Sequence, residues 1–540
     1  MLRTTSLQPF NSSTLQRGSF ALLLHAHLPF VRHPEHEDFL EEDWLFEALT
    51  ESYLPLLRMM RRLIDDDVPF KLTMSLTPTL GAMLRDELLQ QRYLRHLERL
   101  IGLAGQETER NRHHARLSEL ARFYLELFTE TRTFFDETLR RDVVRAFREL
   151  QDYGCLEIIA SAATHAFLPL LQGFPEAERA QIHIGCDSYR EMFGRDPSGF
   201  WLPECGYAEG LDGLLQPANV RWFVVDSHGL MFGQPRPRYA LFAPYYTPAG
   251  PAVFARDRES SREVWNAQSG YPGDPVYRDF YRDVGFDRSA EELEPFVRPA
   301  GVRKFSGIKY HRVSGKEEKE FYDRAPALAA ADEHARDFLE KRRARFRDLA
   351  ELNFDGIVVS PFDAELFGHW WFEGPRFLET FIREAAVSEQ SGFELTTPTE
   401  FLNVHSSQQV VRPNPSSWGE NGFSSVWLDE NNAWIYRHLH GATRRMIELA
   451  RTHRGTADSL IERALRQVAR ELLLAQSSDW AFLMKNRTAP EYAEARARDH
   501  LLRFNRLYEQ LRDARLDERF LGECERRTPI FPDLNWRYYL

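Results

Sequence analysis

The chain has 540 residues, of which 43% are hydrophobic and 28% charged, as is typical of a soluble globular protein with two or three packed units. Its formal net charge of −12 argues against nucleic acid or an anionic membrane as the main partner, because both require clustered lysine and arginine. The four cysteines form no CxxC pair, which excludes a cysteine zinc cluster and fits a reducing compartment.

The first 17 residues lack the apolar core of a signal peptide, and we expect them to form a flexible tail. No stretch approaches the roughly 18 apolar residues that a membrane-spanning helix needs. We therefore expect a cytoplasmic protein with no membrane partner, either a monomer or a small homo-oligomer.

Short apolar segments with polar residues at their carboxyl ends are predicted as buried strands. They are residues 20–24, 70–76, 156–160, 199–204, 222–226 and 356–360. Helical patterns lie between them, for example at 176–192 and 327–352. This alternation predicts a parallel sheet, and functional groups at carboxyl strand ends are what a (β/α) barrel requires. A doubly wound open sheet stays possible, although no glycine-rich phosphate loop supports it.

Two regions interrupt the alternation. Residues from about 84 to 150 are rich in charge and helix formers, which predicts a helical insertion within a catalytic barrel spanning 18–400. After a Pro/Ser/Asn-rich stretch at 411–417, apolar residues recur at the spacing of one helix face: Ile461, Leu465, Val468 and Leu472. Residues 401–540 are therefore predicted to form a second, all-helical domain that contributes to the substrate cleft.

Two carboxylates follow predicted strands in unusual surroundings. Glu204 lies in the segment WLPECGY, and Asp363 in SPFDAELFGHWWFEG. A salt-bridged glutamate at a barrel rim and an aspartate that caps a helix would explain each one structurally. Glycoside cleavage, however, requires such a pair: one acid protonates the leaving oxygen while the other attacks or activates water. The distance between them, which separates retaining from inverting enzymes, does not follow from the sequence.

His25 and His27 are two residues apart on a predicted strand, so both side chains point the same way. They could hydrogen-bond substrate hydroxyls at the barrel mouth. Together with His165, His228 and either Asp226 or Asp363, they could also bind zinc. A metal-dependent barrel hydrolase is therefore the main rival interpretation of the residues themselves.

Several motifs in order resemble glycoside hydrolase family 57, and most closely its 1,4-α-glucan branching enzyme group. They are HAHLP (25–29), WLPECGY (201–207), VVDSHG (224–229), GYPGD (270–274), GIKYHR (307–312) and SPFDAELFGHWWFEG (360–374). The similarity runs from about residue 18 to the C-terminus and includes 416–420, Trp427 and 478–480.

The resemblance implies a (β/α)7 barrel with a helical insertion and a C-terminal helical domain that closes over the cleft. It implies that Glu204 is the nucleophile, that Asp363 is the general acid/base, and that no cofactor or metal is needed. The implied substrate-binding residues are His25, His27, Tyr246, Arg256, Trp265, Gly273, Trp418, Trp427 and Asp479. Of these, Tyr246 is expected on a mobile loop over the cleft, with Tyr245 as the alternative, and the three tryptophans are expected to stack on glucan.

Three hypotheses about function follow. The first is a retaining enzyme acting on α-1,4-glucan such as amylose or a glycogen-like polymer, with branching preferred and α-amylase or 4-α-glucanotransferase next. The second is the metal-dependent hydrolase built on the histidines. The third is a glycan-binding protein that keeps the cleft with little activity, and the intact Glu204 and Asp363 argue against it.

Overall fold

The computed structural model describes residues 18–266, 269–299, 301–315, 319–387 and 392–540. The predicted flexible tail, 1–17, lies outside the described residues. The strands within these ranges are β1 (Gly18–Ala26), β2 (Leu72–Leu76), β3 (Leu156–Ser161), β4 (Gly199–Trp201), β5 (Trp222–Val225), β6 (Tyr245–Tyr246), β7 (Ala252–Ala255), β8 (Ile357–Asp363) and β9 (Phe393–Leu395).

The helices of the first half are α1 (Asp43–Ala48), α2 (Leu54–Asp65), α3 (Pro78–Leu84), α4 (Glu87–Arg110), α5 (Ala115–Thr133), α6 (Val143–Tyr153), α7 (Pro175–Phe193), α8 (Leu211–Leu215), α9 (Ser227–Met231) and α10 (Arg258–Trp265). Those of the second half are α11 (Val284–Asp287), α12 (Ala290–Leu293), α13 (Arg324–Glu351), α14 (Gly374–Val387), α15 (Pro398–Val404), α16 (Trp434–Thr452), α17 (Ser459–Ala475), α18 (Ser478–Asn486), α19 (Pro490–Arg512) and α20 (Glu518–Arg527).

The strands form one mostly parallel sheet in the order β6-β7-β5-β4-β3-β2-β1-β8, with β9 added in parallel beside the start of β1. Only β6 among the described strands runs antiparallel to its neighbour. At the far end of the order, Arg256, which follows β7, makes a parallel bridge to Val359 of β8. The predicted class, a mostly parallel sheet with helices between its strands, is confirmed.

The apolar runs seen in the sequence explain why these strands are central. All nine residues of β1 are buried, since β2 and β8 flank it and helices cover the sheet. A strand buried on both faces needs a continuous apolar run rather than an alternating one. Because neighbouring strands run in parallel, their carboxyl ends lie at one edge, where the polar residues that follow them meet.

The charge-rich region after β2 is helical, as expected. It contains α4 and α5, which pack along each other, and then α6, which packs against β3. Asp86 caps α4 by accepting a hydrogen bond from the backbone N–H of Leu89 at 3.0 Å. Asp142 caps α6 in the same way through Arg145, at 2.9 Å.

The C-terminal region is helical from α16 onward. The predicted apolar face of α17 is buried at Leu465, Val468 and Leu472, and α19 packs along it. Within the described ranges, no helix has both the length and the apolar character that crossing a bilayer demands.

Candidate active site

The carboxyl edge of the sheet brings together residues from five strands. His25, near the end of β1, is in register with Asp363 at the end of β8 and with Ser75 of β2. Glu204 follows β4 directly, and His165 follows β3. The predicted catalytic and histidine residues therefore gather at the edge where a (β/α) enzyme builds its active site.

The backbone at Glu204 is turned sharply as it leaves β4. Glu204 has a φ of 63° and Cys205 a φ of 50°, left-handed values that cost a non-glycine residue free energy. The backbone N–H of Trp418 donates to the carbonyl of Glu204 at 2.9 Å, and its indole Nε1 donates to Oε2 of the same residue at 2.7 Å. Trp418 thus fixes both the main chain and the carboxylate of Glu204.

Burial raises the pKa of both carboxylates. It raises the pKa of Glu204 to about 7; the Trp418 hydrogen bond opposes this shift, while Asp363 and Asp479 add to it. Burial also raises the pKa of Asp363 well above its usual value, Glu365 raises it further, and Arg256 opposes the shift. Both carboxyl groups therefore hold a proton more tightly than free carboxyl groups do, and the Trp418 hydrogen bond favours the ionised form of Glu204.

Glu365 lies close to this pair and is itself held by hydrogen bonds. Its Oε1 accepts hydrogen bonds from the Tyr53 hydroxyl and from the backbone N–H of His27, the latter at 3.1 Å. Burial raises the pKa of Glu365 to about 7, against the effect of the Tyr53 hydrogen bond. The sequence places Glu365 beside Asp363 but gives no sign of Tyr53, which lies 312 residues away.

The histidines form one stack of rings. Nε2 of His25 lies 2.9 Å from Nε2 of His165, and the rings of His27 and His165 stack with centroids 3.8 Å apart. Burial lowers the pKa of His25 and of His165 well below the usual value, and neighbouring histidines lower each further. Neutral imidazoles of this kind can donate to or accept from sugar hydroxyls. The sequence suggested His165 only as a metal ligand, although this residue follows β3 at the same edge.

Asp479, on α18 of the C-terminal region, reaches this stack. Its carboxylate oxygens lie 3.0 and 3.1 Å from Nε2 of His27. Burial alone would raise the pKa of Asp479, but His27, His165 and the hydroxyl of Ser477 hold it below its usual value. The hydroxyl of the neighbouring Ser478 lies 3.4 Å from Oε1 of Glu204. The sequence offered no signal for this contact. The helical region therefore supplies part of the site.

Ligand atoms of His27, His165 and Asp479 all lie within 4.8 Å of one another, which is compatible with a metal ion. Their nitrogens are nevertheless already used in hydrogen bonding. Nδ1 of His27 lies 3.0 Å from the hydroxyl of Thr77, and Nδ1 of His165 lies 3.0 Å from that of Ser478. Such bonds hold rings in place for substrate as well as for a metal, so the geometry alone does not require an ion.

Arg256 contacts both Trp418 and Asp226 beside the candidate active site. Its guanidinium lies 5.6 Å from the centroid of the Trp418 ring and donates to Asp226 at 3.3 Å. Asp226 in turn pairs with His228 at 3.0 Å. Asp226 and His228 therefore belong to this ion-pair group and lie outside the three-residue cluster that could hold a metal.

Trp265 and Gly273 follow the next elements along the chain. Trp265, half-buried, faces Trp370 with ring centroids 5.7 Å apart, and Trp370 is 44% exposed. Gly273 ends a single 3-10 turn whose Tyr271 donates to Asp337 of α13 at 2.7 Å. The turn contacts α10, α13 and α14, and no described contact brings Gly273 to the carboxylate pair.

The expectation that Tyr246 covers the cleft is wrong. Tyr246 lies in β6, opposite Ala252, the first residue of β7. This is the amino end of the sheet, opposite the edge that carries Glu204 and Asp363, and Tyr246 there donates to the carbonyl of Ser406 at 3.1 Å. Tyr245 is fully buried beside it, so the alternative is excluded for the same reason.

Trp427 is not available for stacking on glucan as the protein is folded here. It is 1% exposed, and its ring is stacked on Phe167 with centroids 4.2 Å apart. A sugar needs an open ring face, and Phe167 covers the face of Trp427. Trp418, by contrast, is only partly buried and lies in the cleft, where it also donates to Glu204.

Comparisons with known proteins agree with this geometry. The family model described as Glycosyl hydrolase family 57 matches residues 21–413, and that of the 1,4-alpha-glucan branching enzyme C-terminal domain matches 438–539. The 1,4-alpha-glucan branching enzyme TK1436 of Thermococcus kodakarensis is 34% identical over 551 aligned positions, covering 95% of this chain and 77% of the relative.

Two crystal structures are similar over almost the whole chain. The α-amylase AmyC from Thermotoga maritima has a TM-score of 0.90 at 46% identity, covering 97% of this chain and 99% of its own. The GH57-type branching enzyme from Pyrococcus horikoshii has a TM-score of 0.87 at 34% identity, covering 97% of both chains. This chain is therefore an enzyme of glycosyl hydrolase family 57, with the C-terminal domain of the 1,4-α-glucan branching enzymes.

Proposed function

We propose that this enzyme is a retaining 1,4-α-glucan branching enzyme. It cleaves an α-1,4 linkage and transfers the released chain to a 6-hydroxyl, which creates an α-1,6 branch. The observation that carries the proposal is the joint site. Two partly buried carboxylates, both with raised pKa values, lie at the carboxyl edge of the sheet, and Trp418 and Asp479, both C-terminal to residue 400, complete their surroundings.

In the first step, Glu204 attacks the anomeric carbon of the bound glucan, and Asp363 gives its proton to the departing oxygen. The surroundings support these roles, since the Trp418 indole N–H favours an ionised Glu204, whereas burial and the charge of Glu365 favour a protonated Asp363. The neutral His25 and His165 and the His27–Asp479 pair hold the sugar hydroxyls while the bond breaks.

In the second step, Asp363, now ionised, accepts the proton of an incoming hydroxyl, which attacks the glucosyl ester on Glu204. A 6-hydroxyl gives a branch, a 4-hydroxyl gives disproportionation, and water gives hydrolysis. All three outcomes use the same carboxylates, so the outcome depends on how well a second chain is held while water is excluded.

The finer architecture belongs to the same proposal. Seven strands run in parallel along the sheet order from β7 to β8, with β9 off this path. The bridge from Arg256 to Val359 links the β7 end to β8, which supports a (β/α)7 barrel. We assign residues 18–400 to this barrel, with the helical insertion at about 84–150, and residues 401–540 to the helical domain. The substrate partner is α-1,4-glucan, the assembly a monomer or small homo-oligomer, and the compartment the cytoplasm.

The test is amylose incubated with the purified enzyme, with iodine staining followed over time and the product debranched and sized. Branching predicts falling iodine colour, new α-1,6 linkages and few new reducing ends. Glu204→Gln should abolish all of these changes. Glu209→Gln is the matched control, because it makes the same chemical change five residues away at an exposed glutamate.

An α-amylase is the second candidate, and two observations favour it. AmyC, an α-amylase, shares 46% identity over almost the whole chain. Neither Tyr245 nor Tyr246 lies over the cleft, so the expected lid tyrosine does not exclude water. Reducing ends that accumulate without α-1,6 linkages would establish hydrolysis in place of branching.

A further inference from the structure

A cavity of about 150 Å³, lined by several arginines, lies outside the candidate active site. It lies between the segment that follows β1 and the helices α19 and α20. Four arginines line it: Arg32, Arg496, Arg503 and Arg527. Two carboxylates, Glu35 and Asp499, lie in the same lining. Ion pairs join Arg32 to Asp86, Arg503 to Glu471 and Arg527 to Glu523, which leaves Arg496 as the lining arginine without an ion pair in the described part of the chain.

Arg496 is the unusual member of this group. It is 7% exposed, its guanidinium lies 5.8 Å from the Trp480 ring centroid, and one of its terminal nitrogens donates to the carbonyl of Phe30 at 3.0 Å. Its Nε has no acceptor, and no carboxylate within the described ranges forms an ion pair with it. Arg496 is therefore a buried cation without a counter-ion at the edge of a cavity.

Other buried arginines of the chain are compensated. Their ion pairs are Arg92 with Glu42 at 2.6 Å, Arg278 with Glu51 at 3.0 Å and Arg342 with Glu263 at 3.1 Å. Arg470 has no such carboxylate, but the carbonyls of Ile530 and Phe531 accept its N–H groups. A buried charge is costly unless it is paired, so Arg496 calls for an anion from outside the chain.

The electrostatics of the cavity wall agree with this requirement. Burial lowers the pKa of His33 to about 2, and the charge of Arg496 is the next contribution. His33 is thus neutral, and its Nε2 lies 2.8 Å from the hydroxyl of Tyr492, which also lines the cavity. Neutral histidine does not compensate Arg496. Arg496 lowers the pKa of Glu41 against the larger effect of burial, but the two side chains form no ion pair.

We propose that this cavity binds the phosphate group of a small phosphate monoester or of free phosphate, which supplies the counter-charge to Arg496. Phosphate oxygens match the fixed N–H geometry of guanidinium groups, and four such groups line the cavity. A neutral glucan would leave Arg496 uncompensated. Arg496 already joins α19 to the carbonyl of Phe30, three residues beyond His27, so an occupant would stabilise this contact beside the candidate active site.

The test measures the thermal unfolding and the calorimetric binding of the full enzyme with inorganic phosphate and, separately, with glucose 1-phosphate. Potassium chloride at equal ionic strength is the reference. Binding should raise Tm by at least about 2 °C at saturation. Tighter binding of glucose 1-phosphate would identify a sugar-phosphate site, and equal binding a site for the phosphate group alone.

Three variants separate a site from a general salt effect. Arg496→Met keeps the apolar stem and removes the charge, so it should fold without phosphate and lose the Tm rise. Arg527→Gln, at a half-exposed lining residue, should weaken binding about tenfold or more. Arg515→Gln changes an exposed arginine outside the lining and should bind as the parent does. No binding by the parent, or equal binding by all three variants, would overturn the proposal.

Discussion

Trp418 should tune the ionisation of Glu204, which makes Trp418→Phe the most informative substitution. Phenylalanine keeps an aromatic ring in the cleft and removes the indole N–H that donates to Oε2 of Glu204 at 2.7 Å. This hydrogen bond lowers the pKa of Glu204 against the larger effect of burial, which raises it to about 7. Without the bond, the pKa of Glu204 should rise further.

The size of the shift follows from the kind of bond. A hydrogen bond to a charged group contributes about 1.5–3 kcal/mol, and one pKa unit corresponds to about 1.4 kcal/mol. The pKa of Glu204 should therefore rise by about one to two units. At pH 7 the ionised fraction then falls from about one half to between about one tenth and one hundredth, so the rate falls about 5- to 50-fold.

The assay is the pH dependence of kcat/KM on a defined malto-oligosaccharide. The acid limb, which reports ionisation of Glu204 in the free enzyme, should move to higher pH, and the deficit should shrink as the pH rises. Trp371→Phe is the matched control, because the indole N–H of Trp371 is buried without an acceptor among the described residues. An acid limb that stays in place in Trp418→Phe, with KM raised equally at every pH, would refute the reasoning and leave only a stacking role.

Three further predictions concern Asp479, metal dependence and the helical region. Asp479→Asn removes the charged partner of His27 and should lower kcat/KM about 10- to 100-fold with Tm near that of the parent; unchanged kinetics would contradict the pairing. Dialysis against a chelator should leave activity intact, because the proposed steps need only the carboxyl groups of Glu204 and Asp363; activity that returns only with a stoichiometric metal would favour the metal-dependent hydrolase. Glu471→Gln leaves His500 and Arg503 without their buried carboxylate and should reduce the free energy of unfolding by about 3–5 kcal/mol in denaturant titrations, whereas a change below about 1 kcal/mol would show the contact to be dispensable.

The parts of the fold that depend on local pattern could be predicted from the sequence. Apolar runs followed by polar residues located strand ends, and parallel pairing then brings His25, Asp363 and Glu204 to one edge. The apolar face of α17 was predictable for the same reason, since a spacing of three and four residues fixes which side chains are buried.

Contacts between distant segments could not be predicted in this way. His27 and Asp479 are 452 residues apart, and Trp418 and Glu204 are 214 apart, so nothing local signals either bond. The error at Tyr246 has a similar origin. The family resemblance placed Tyr246 or Tyr245 on a loop over the cleft, and only the pairing of β6 with the start of β7 puts both at the amino end of the sheet.

Residues beyond 400 contribute side chains to the candidate active site itself. Trp418 donates to Glu204, Ser478 lies 3.4 Å from it, and Asp479 pairs with His27. The pKa of the proposed nucleophile and the orientation of a substrate-facing histidine therefore depend on residues beyond 400. The proposed mechanism requires that a second chain be held while water is excluded, and these residues beyond 400 are the ones that contact Glu204 and His27. Substitutions in α18 and around Trp418 should for that reason change the ratio of transfer to hydrolysis, whereas substitutions in the α4–α5 hairpin should leave that ratio unchanged.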